Sequence, residues 1–315
     1  MVDPELLRAA QGGDTMAMND VLDELSPYVF KICGAIAPQH GPDAAQETLI
    51  AVFRHLAGVR EPAALRGWVR AIAVREAVRM AKRNPPGREA AGERAARDGG
   101  ELSVEVRDVL ARLSPRAPGG AGPARPGRAR RGAGGRGARP AQGHGEVPPA
   151  QGAARIQKGM AVNMAVNDDL DPVRRLRVMA AATPGCVVVE RVIAAPFEEV
   201  WAVAADLEGE LPRYQPSVKT LRVTPGQGDR LEVVALGRAG LCASFAAVLR
   251  PGWCWMQSRT SVFGLAAVPV EGGTLLGRAG ATRRRGLRML AAPLLRRAFA
   301  AELDRFESRV RQRAQ

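Results

Sequence analysis

From Arg116 to Gly152, 32 of 37 residues are Gly, Ala, Pro or Arg, and Val147 is the one larger aliphatic side chain among them. A stretch with so little apolar volume cannot offset the entropy lost on ordering its backbone, so it is predicted to be disordered. Any core lies before or after it, which excludes one compact fold spanning all 315 residues. The formal charge of +14 divides along the same lines: −6 over residues 1–53, +6 over 54–83, −1 over 84–115, +8 over 116–158 and +7 over 159–315. The basic excess of 54–83 points to an anionic partner for that segment, which the whole-chain total conceals. No apolar run is long enough to span a bilayer and the N-terminus lacks a secretory pattern, so a soluble, cytoplasmic protein without membrane insertion is expected. Cys33, Cys186, Cys242 and Cys254 show no metal-ligand spacing. They read as small buried residues, with no metal or other cofactor expected.

Residues 4–83 carry apolar side chains at helical spacing almost throughout. Gly12, Gly13 and Asp14 end one helix and cap the next, Pro38 to Pro42 end the second, Asp43 caps a third that runs to about Leu56, and a fourth follows the loop 58–63. In the fourth, Leu65, Trp68, Val69 and Ile72 form an apolar stripe. Arg75, Arg79 and Arg83 fall at four-residue spacing on one edge, with Arg66 and Arg70 a similar pair before them. This is either a solvated basic face or a phosphate-binding one.

The run DAAQETLIAVFRHL from Asp43 to Leu56, followed by LRGWVRAIAVREAVRMAKR from Leu65 to Arg83, resembles region 2 of the sigma-70 superfamily, in particular the extracytoplasmic-function (ECF) sigma factors. The resemblance implies that the third helix binds core RNA polymerase through Asp43, Gln46, Glu47, Thr48 and Phe53. It implies that Arg66, Trp68, Arg70, Arg75, Arg79 and Arg83 engage the −10 element of promoter DNA, and that an anti-sigma factor is a further partner. Holding an unstacked base needs cations on the backbone and an aromatic wall, which is the chemistry these residue types supply. Trp68 is a candidate for that wall, although a Trp at such a stripe position is more often a core residue. Leu65 replaces the family's usual aromatic, and Val74-Arg75-Glu76 stands where an N-x-x-x-D pattern is common, so the promoter preference is left open.

Residues 101–115 read as a short amphipathic helix ending in Leu-Ser-Pro, as region 4 of these sigma factors begins. The basic stretch that follows is either a nonspecific nucleic-acid tail or the product of a GC-rich gene translated out of frame, because Gly, Ala, Pro and Arg codons begin with two G or C bases. Shifting the frame at Arg116 permits His-Arg-Ala-Val-Leu-Val-Leu-Arg-Asp-Leu over residues 117–126 and Gly-Thr-Val-Lys-Ser-Arg-Leu-His-Arg-Ala-Arg over 143–153, which are phrases of region 4. The gene's nucleotide sequence decides: an early stop in the shifted frame would exclude that origin. A second start at Met160 or Met164 would then open the downstream gene.

From Cys186 the periodicity changes to strands, with candidates at 186–194, 218–223, 229–236, 243–249, 254–261 and 274–281, a helix after the first, and a long helix over 286–313. This order, with Val189, Ile193, Ala195, Pro196, Val200 and Trp201 in its opening motif, resembles the START-like SRPBCC superfamily, including polyketide-cyclase-like proteins. The resemblance implies an antiparallel sheet gripping the long helix around an apolar cavity. Trp201, Tyr214, Phe245, Trp255 and Phe263 are its candidate lining, with plain core packing as the default for each. No His lies in this half and no nucleophile-base pair is apparent, so no catalytic residue is assigned. The cluster Arg283, Arg284, Arg285, Arg288, Arg296 and Arg297 reads as a solvated helix end or an anion site.

The expected organisation is thus multidomain: an all-α region-2 bundle at 1–84, a linker with the start of region 4 at 85–115, a disordered basic segment at 116–163, and an α+β helix-grip domain at 164–315. Three functions stay open. One is transcription initiation, impaired by the loss of region 4. The second is apolar small-molecule binding by the C-terminal domain. The third is a fusion in which ligand binding regulates the sigma-like helices.

Overall fold

The computed structural model describes residues 2–83, 170–284, 286 and 288–314. The linker and basic segment expected over 85–163 lie outside the described residues, as does Arg285.

Four helices open the chain: α1 (Pro4–Gln11), α2 (Thr15–Ile36), α3 (Gly41–His55) and α4 (Leu65–Arg83). Their starts follow from local chemistry. Asp3 accepts from the Glu5 N–H with Pro4 in the first turn, and Asp14 accepts from Met16 and Ala17 after Gly13 turns the chain at φ 87°. Asp43 is not a cap: α3 begins two residues earlier, and the Asp43 carboxylate bonds Arg174 at 2.6 Å. Leu7, Val21, Leu22, Leu25, Val29, Leu49, Val52, Leu65 and Val69 are buried where these helices meet.

The second described segment opens with helix α5 (Pro172–Ala182), absent from the sequence expectation, which Asp171 caps onto the Arg174 N–H. Strand β1 (Val187–Ile193) leads through α6 (Phe197–Ala205) and the short α7 (Leu211–Tyr214) to β2 (Val218–Pro225). Then follow β3 (Arg230–Gly237), β4 (Cys242–Arg250), β5 (Trp253–Gln257), β6 (Ser261–Val270) and β7 (Gly273–Thr282), and α8 (Arg288–Arg313) closes the chain. The sheet is seven-stranded and antiparallel in the order β1-β7-β6-β5-β4-β3-β2. One more strand is present than the sequence indicates. The candidate over 254–261 is the first arm of a hairpin whose turn, held by the Ser258 N–H on the Ser261 carbonyl at 2.8 Å, contains neither Gly nor Pro.

Both faces of the sheet carry packed elements, while Val192 of β1 and Val234 of β3 stay exposed. The inner face packs α6, α7 and α8 around Val200, Trp201, Leu221, Val233, Leu265, Leu276, Leu303 and Phe306. The outer face carries Val248, Trp253, Trp255, Val262, Ala266 and Ala279, and these join the core of α1–α4 and α5. The two described segments belong to one compact unit. Trp255 Nε1 donates to Thr15 Oγ1 at 2.8 Å, the Thr15 N–H donates to Gln257 Oε1 at 2.6 Å, and Arg250 reaches Asp23 at 2.8 Å. Arg175 bonds Asp23 and the Asn19 side chain, and Arg230 bonds Asp20. Among the described residues no helix is long and apolar enough to cross a membrane.

Candidate functional site

Strand alternation places Leu221, Val233, Ala235, Phe245, Met256, Phe263 and Arg278 on the inner face of the sheet. With Leu211, Gln215 and Val218 from α7 and its flank, they enclose a cavity of about 50 Å³. Its wall is apolar except at one end. There Arg278, 6% exposed, bonds Glu302 of α8 from Nε at 2.9 Å and donates from Nη1 to the Gly264 and Ala279 carbonyls at 3.2 and 2.9 Å. Its guanidinium carbon lies 5.0 Å from the Phe263 ring centre and 4.7 Å from that of Phe299, positions that favour a cation over an aromatic face. The Gln215 amide nitrogen, in the orientation that satisfies both its ends, donates to the other Glu302 oxygen at 2.6 Å. Arg278, Glu302 and Gln215 were not expected from sequence. A lone Arg in a Gly- and Ala-rich strand gives no signal until the helix that pairs it is in place.

Two groups near this ion pair, the Cys254 thiol and the Tyr214 hydroxyl, are held neutral. Burial pushes the Cys254 thiol up to about 12 and raises the Tyr214 hydroxyl well above its ordinary value. Neither ionises near neutral pH. Among the described residues no group of three or more His, Cys, Asp or Glu stands close enough to hold a metal ion.

The aromatic residues expected to line one cavity separate into three places. Phe245 and Phe263 line it, with ring centres 6.0 Å apart. Trp201 and Tyr214 share the inner core without lining the cavity: Trp201 stacks on Phe197, and Tyr214 meets Phe306 edge to face. Trp255 lies on the outer face, stacked on Trp253. It is an odd step from Cys254 and Met256 along β5, so the pleat turns it away from the cavity.

A second concavity, of about 490 Å³ and open to solvent, lies between the end of α3 and the start of α4, lined among others by Arg54, His55, Arg60, Glu61 and Trp68. Trp68 is half-buried, one side on the helical core and the other on this pocket. Arg66, Arg75, Arg79 and Arg83 are exposed along α4 and Arg70 is half-buried. Arg66 stacks over Tyr28, and Glu76 pairs with Arg79 at 2.7 Å and with Arg75 at 3.7 Å. These arginines do not line the pocket beside Trp68.

On α3, Thr48 is buried and donates to the Ala44 carbonyl at 2.7 Å, and Phe53 is buried in the helical core. Gln46 and Glu47 are half-buried, and α5 packs along this helix. Of the arginine cluster near the start of α8, Arg284, Arg296 and Arg297 are exposed, while the half-buried Arg283 donates to the Gly13 carbonyl at 3.3 Å.

No family model matches this chain, and no curated protein does. Among solved structures, TTHA0849 from Thermus thermophilus is 23% identical over 41% of this chain and 99% of its own, with a TM-score of 0.35. The ZhuI aromatase/cyclase from Streptomyces sp. R1128 is 16% identical over 41% of this chain and 95% of its own, at 0.34. The di-domain ARO/CYC StfQ of the steffimycin biosynthetic pathway is 13% identical over 45% of this chain and 60% of its own, at 0.35. The helix-grip architecture of the C-terminal part stands on the strand order and on the docking of α8 against β1 and β7.

Proposed function

We propose that this protein binds a small apolar molecule between its sheet and α8. The observation that carries the reading is the inner-face cavity, lined by apolar side chains except at its Arg278 and Gln215 end. A binding site for an organic ligand has that make-up, a largely hydrophobic wall with few placed polar groups. At about 50 Å³ the space holds a few waters and not an organic ring. A ligand therefore enters by displacing the rim, where Leu211, Phe245 and Met256 are only half-buried. The unbranched thioether of Met256 suits such repacking.

Titration of the full chain with 1-aminoanthracene should give saturable fluorescence enhancement. Ala235→Phe, whose ring overfills the cavity from β3, should weaken that binding at least about tenfold, at a cost of about 1–3 kcal/mol in stability from overpacking. Binding indifferent to Ala235→Phe would place the probe elsewhere and remove the support for this reading.

A second reading is favoured by one observation, the open pocket beside Trp68 with Arg54 and Arg60 on its wall. A stacking surface with nearby cations suits an unpaired base, as the ECF-like motif implies for promoter DNA. This reading has core RNA polymerase and promoter DNA as partners, with α3 as the polymerase contact, and it requires α5 to leave α3. Anisotropy with a fluorescent single-stranded −10-type oligonucleotide tests it: Trp68→Ala and Arg60→Ala should each weaken binding, and no measurable binding at low salt would reject it.

A further inference from the structure

We propose that the concavity between α7 and the C-terminal half of α8 binds a terminal phosphate group, that of a small phosphomonoester. The concavity is open to solvent, about 360 Å³ in volume, and lined by Arg213 of α7 and by Asp304, Arg305, Ser308, Arg309 and Gln312 of α8. None of these residues lines the inner-face cavity, so the proposal stands apart from the small-molecule reading. Arg305, Ser308, Arg309 and Gln312 fall three and four residues apart and so share one face of α8.

The arginines are held in place with donors to spare. Glu210, 6% exposed and set behind the wall, accepts from Arg309 Nε at 2.6 Å and Nη2 at 3.0 Å. Arg305 is fixed by its Nε on the Tyr214 carbonyl at 2.8 Å, and neither its Nη1 nor its Nη2 has an acceptor among the described residues. Arg213 stands 3.9 Å from Glu210, too far for a hydrogen bond. Asp304, the one carboxylate on the wall, is bonded to Arg191. The wall and the ion pairs that reach it gather six arginines, Arg191, Arg213, Arg305, Arg309, Arg311 and Arg313, against three carboxylates, Glu210, Asp304 and Glu307. The helix dipole favours Arg311 and Arg313 in the last turn of α8, but not Arg213 on another helix or Arg305 about two turns before the end.

Like charges gathered this closely repel, and an anion that spans them relieves the repulsion. A carboxylate offers two oxygens in one plane, which a single guanidinium fork satisfies. A phosphomonoester carries about −1.5 to −2 charge at neutral pH and three terminal oxygens in different directions, so it takes forks from α7 and α8 together. The wall holds no aromatic side chain on which a base could stack. Ser308 and Gln312 complete it, so the body attached to the phosphate is small and polar.

The test is calorimetric titration of the full chain, at low salt in a phosphate-free buffer, with glycerol 3-phosphate and with lactate, small hydroxylated anions that differ in the charged group. Glycerol 3-phosphate should bind saturably and about tenfold or more tightly than lactate, with an affinity that falls as salt rises. Arg213→Gln and Arg305→Gln should each weaken it about fivefold or more, and because both side chains are exposed the fold is kept. Arg259→Gln, which removes an exposed charge from the β5–β6 turn, should leave it unchanged. Sedimentation with phosphatidylcholine vesicles containing phosphatidic acid separates the two sources of such a group. Vesicle binding that needs Arg305, without binding of glycerol 3-phosphate, would assign a lipid headgroup, whereas binding of glycerol 3-phosphate assigns a soluble ester. Binding of neither, equal affinity for lactate, indifference to Arg213→Gln and Arg305→Gln, or an equal loss in Arg259→Gln would each overturn the proposal, the last by showing attraction to net charge alone.

Discussion

Burial is the main influence that sets the chemistry of the four cysteines apart. Cys33 and Cys254 are buried, and loss of solvent pushes their thiols up to about 11 and about 12, so neither supplies thiolate near neutral pH. Cys186, half-buried, is raised to about 11 for the same reason, whereas Cys242 at the start of β4 is exposed. At pH 8 an aromatic disulfide reagent should therefore titrate Cys242 quickly and the others only on unfolding in denaturant. Rapid loss of two or more thiols from the native protein would contradict this packing. The β6–β7 turn is constrained at the same scale. Gly273 has φ 146°, and a Cβ there would stand 2.1 Å from the Ile193 carbonyl oxygen, whereas Gly272 has φ 82° with open space around it. Gly272→Ala should cost about 1 kcal/mol of backbone strain and Gly273→Ala about 3 kcal/mol or more, read from denaturant midpoints at unchanged slope.

At the scale of elements, the acidic edge of α2 is the part most tied to its surroundings. Burial alone would raise the Asp23 carboxyl, but hydrogen bonds and charge from Arg250 and Arg175 outweigh it and hold Asp23 below the ordinary carboxylate value. The unfolded chain then binds the proton more tightly than the folded one. The stability Asp23 contributes is full above its unfolded value, near 3.8, and is lost as pH falls from there through the lower folded value. Asp23→Asn should cost about 2 kcal/mol at neutral pH, and the gap between the two proteins should narrow only at pH below about 4, measured by urea unfolding across pH. An unchanged gap down to pH 2 would show that the carboxylate is not what these arginines need. The same contacts explain which elements sequence could show. Helices α1 to α4, most strands and α8 follow from apolar spacing and from caps such as Asp14, all local signals. Helix α5 has a cap and Pro172, but its buried face includes Arg175, whose partners Asn19 and Asp23 lie about 150 residues away in the chain. No local pattern marks a buried arginine of that kind. Phe263 and Trp255 illustrate the same limit for the site: composition nominates both, and only the parity of the hairpin decides which one meets the cavity.

At the scale of the whole molecule, the −6 of residues 1–53 has its counterpart within the chain. Asp20, Asp23 and Asp43 bond Arg230, Arg250, Arg175 and Arg174 from the segment beyond residue 170, around a shared apolar core that includes Trp253 and Trp255. A helix-grip sheet needs only its inner face to hold α8, so a second apolar face with two stacked tryptophans is a surface built to be covered. Removing residues 1–83 would expose it and leave Arg175 and Arg250 without the Asp23 carboxylate. Residues 164–315 alone should therefore self-associate and unfold at lower denaturant than the full chain, as measured by light scattering on a sizing column and by urea titration. Adding residues 1–83 as a separate chain should restore the monomeric sheet domain, and the association should weaken as salt rises, because the aspartate–arginine pairs are only partly buried. A monomeric 164–315 as stable as the whole protein, or no association in trans, would mean that the outer face needs no cover. The helices would then be free to leave it, which is the condition the nucleic-acid reading of α3 and α4 demands.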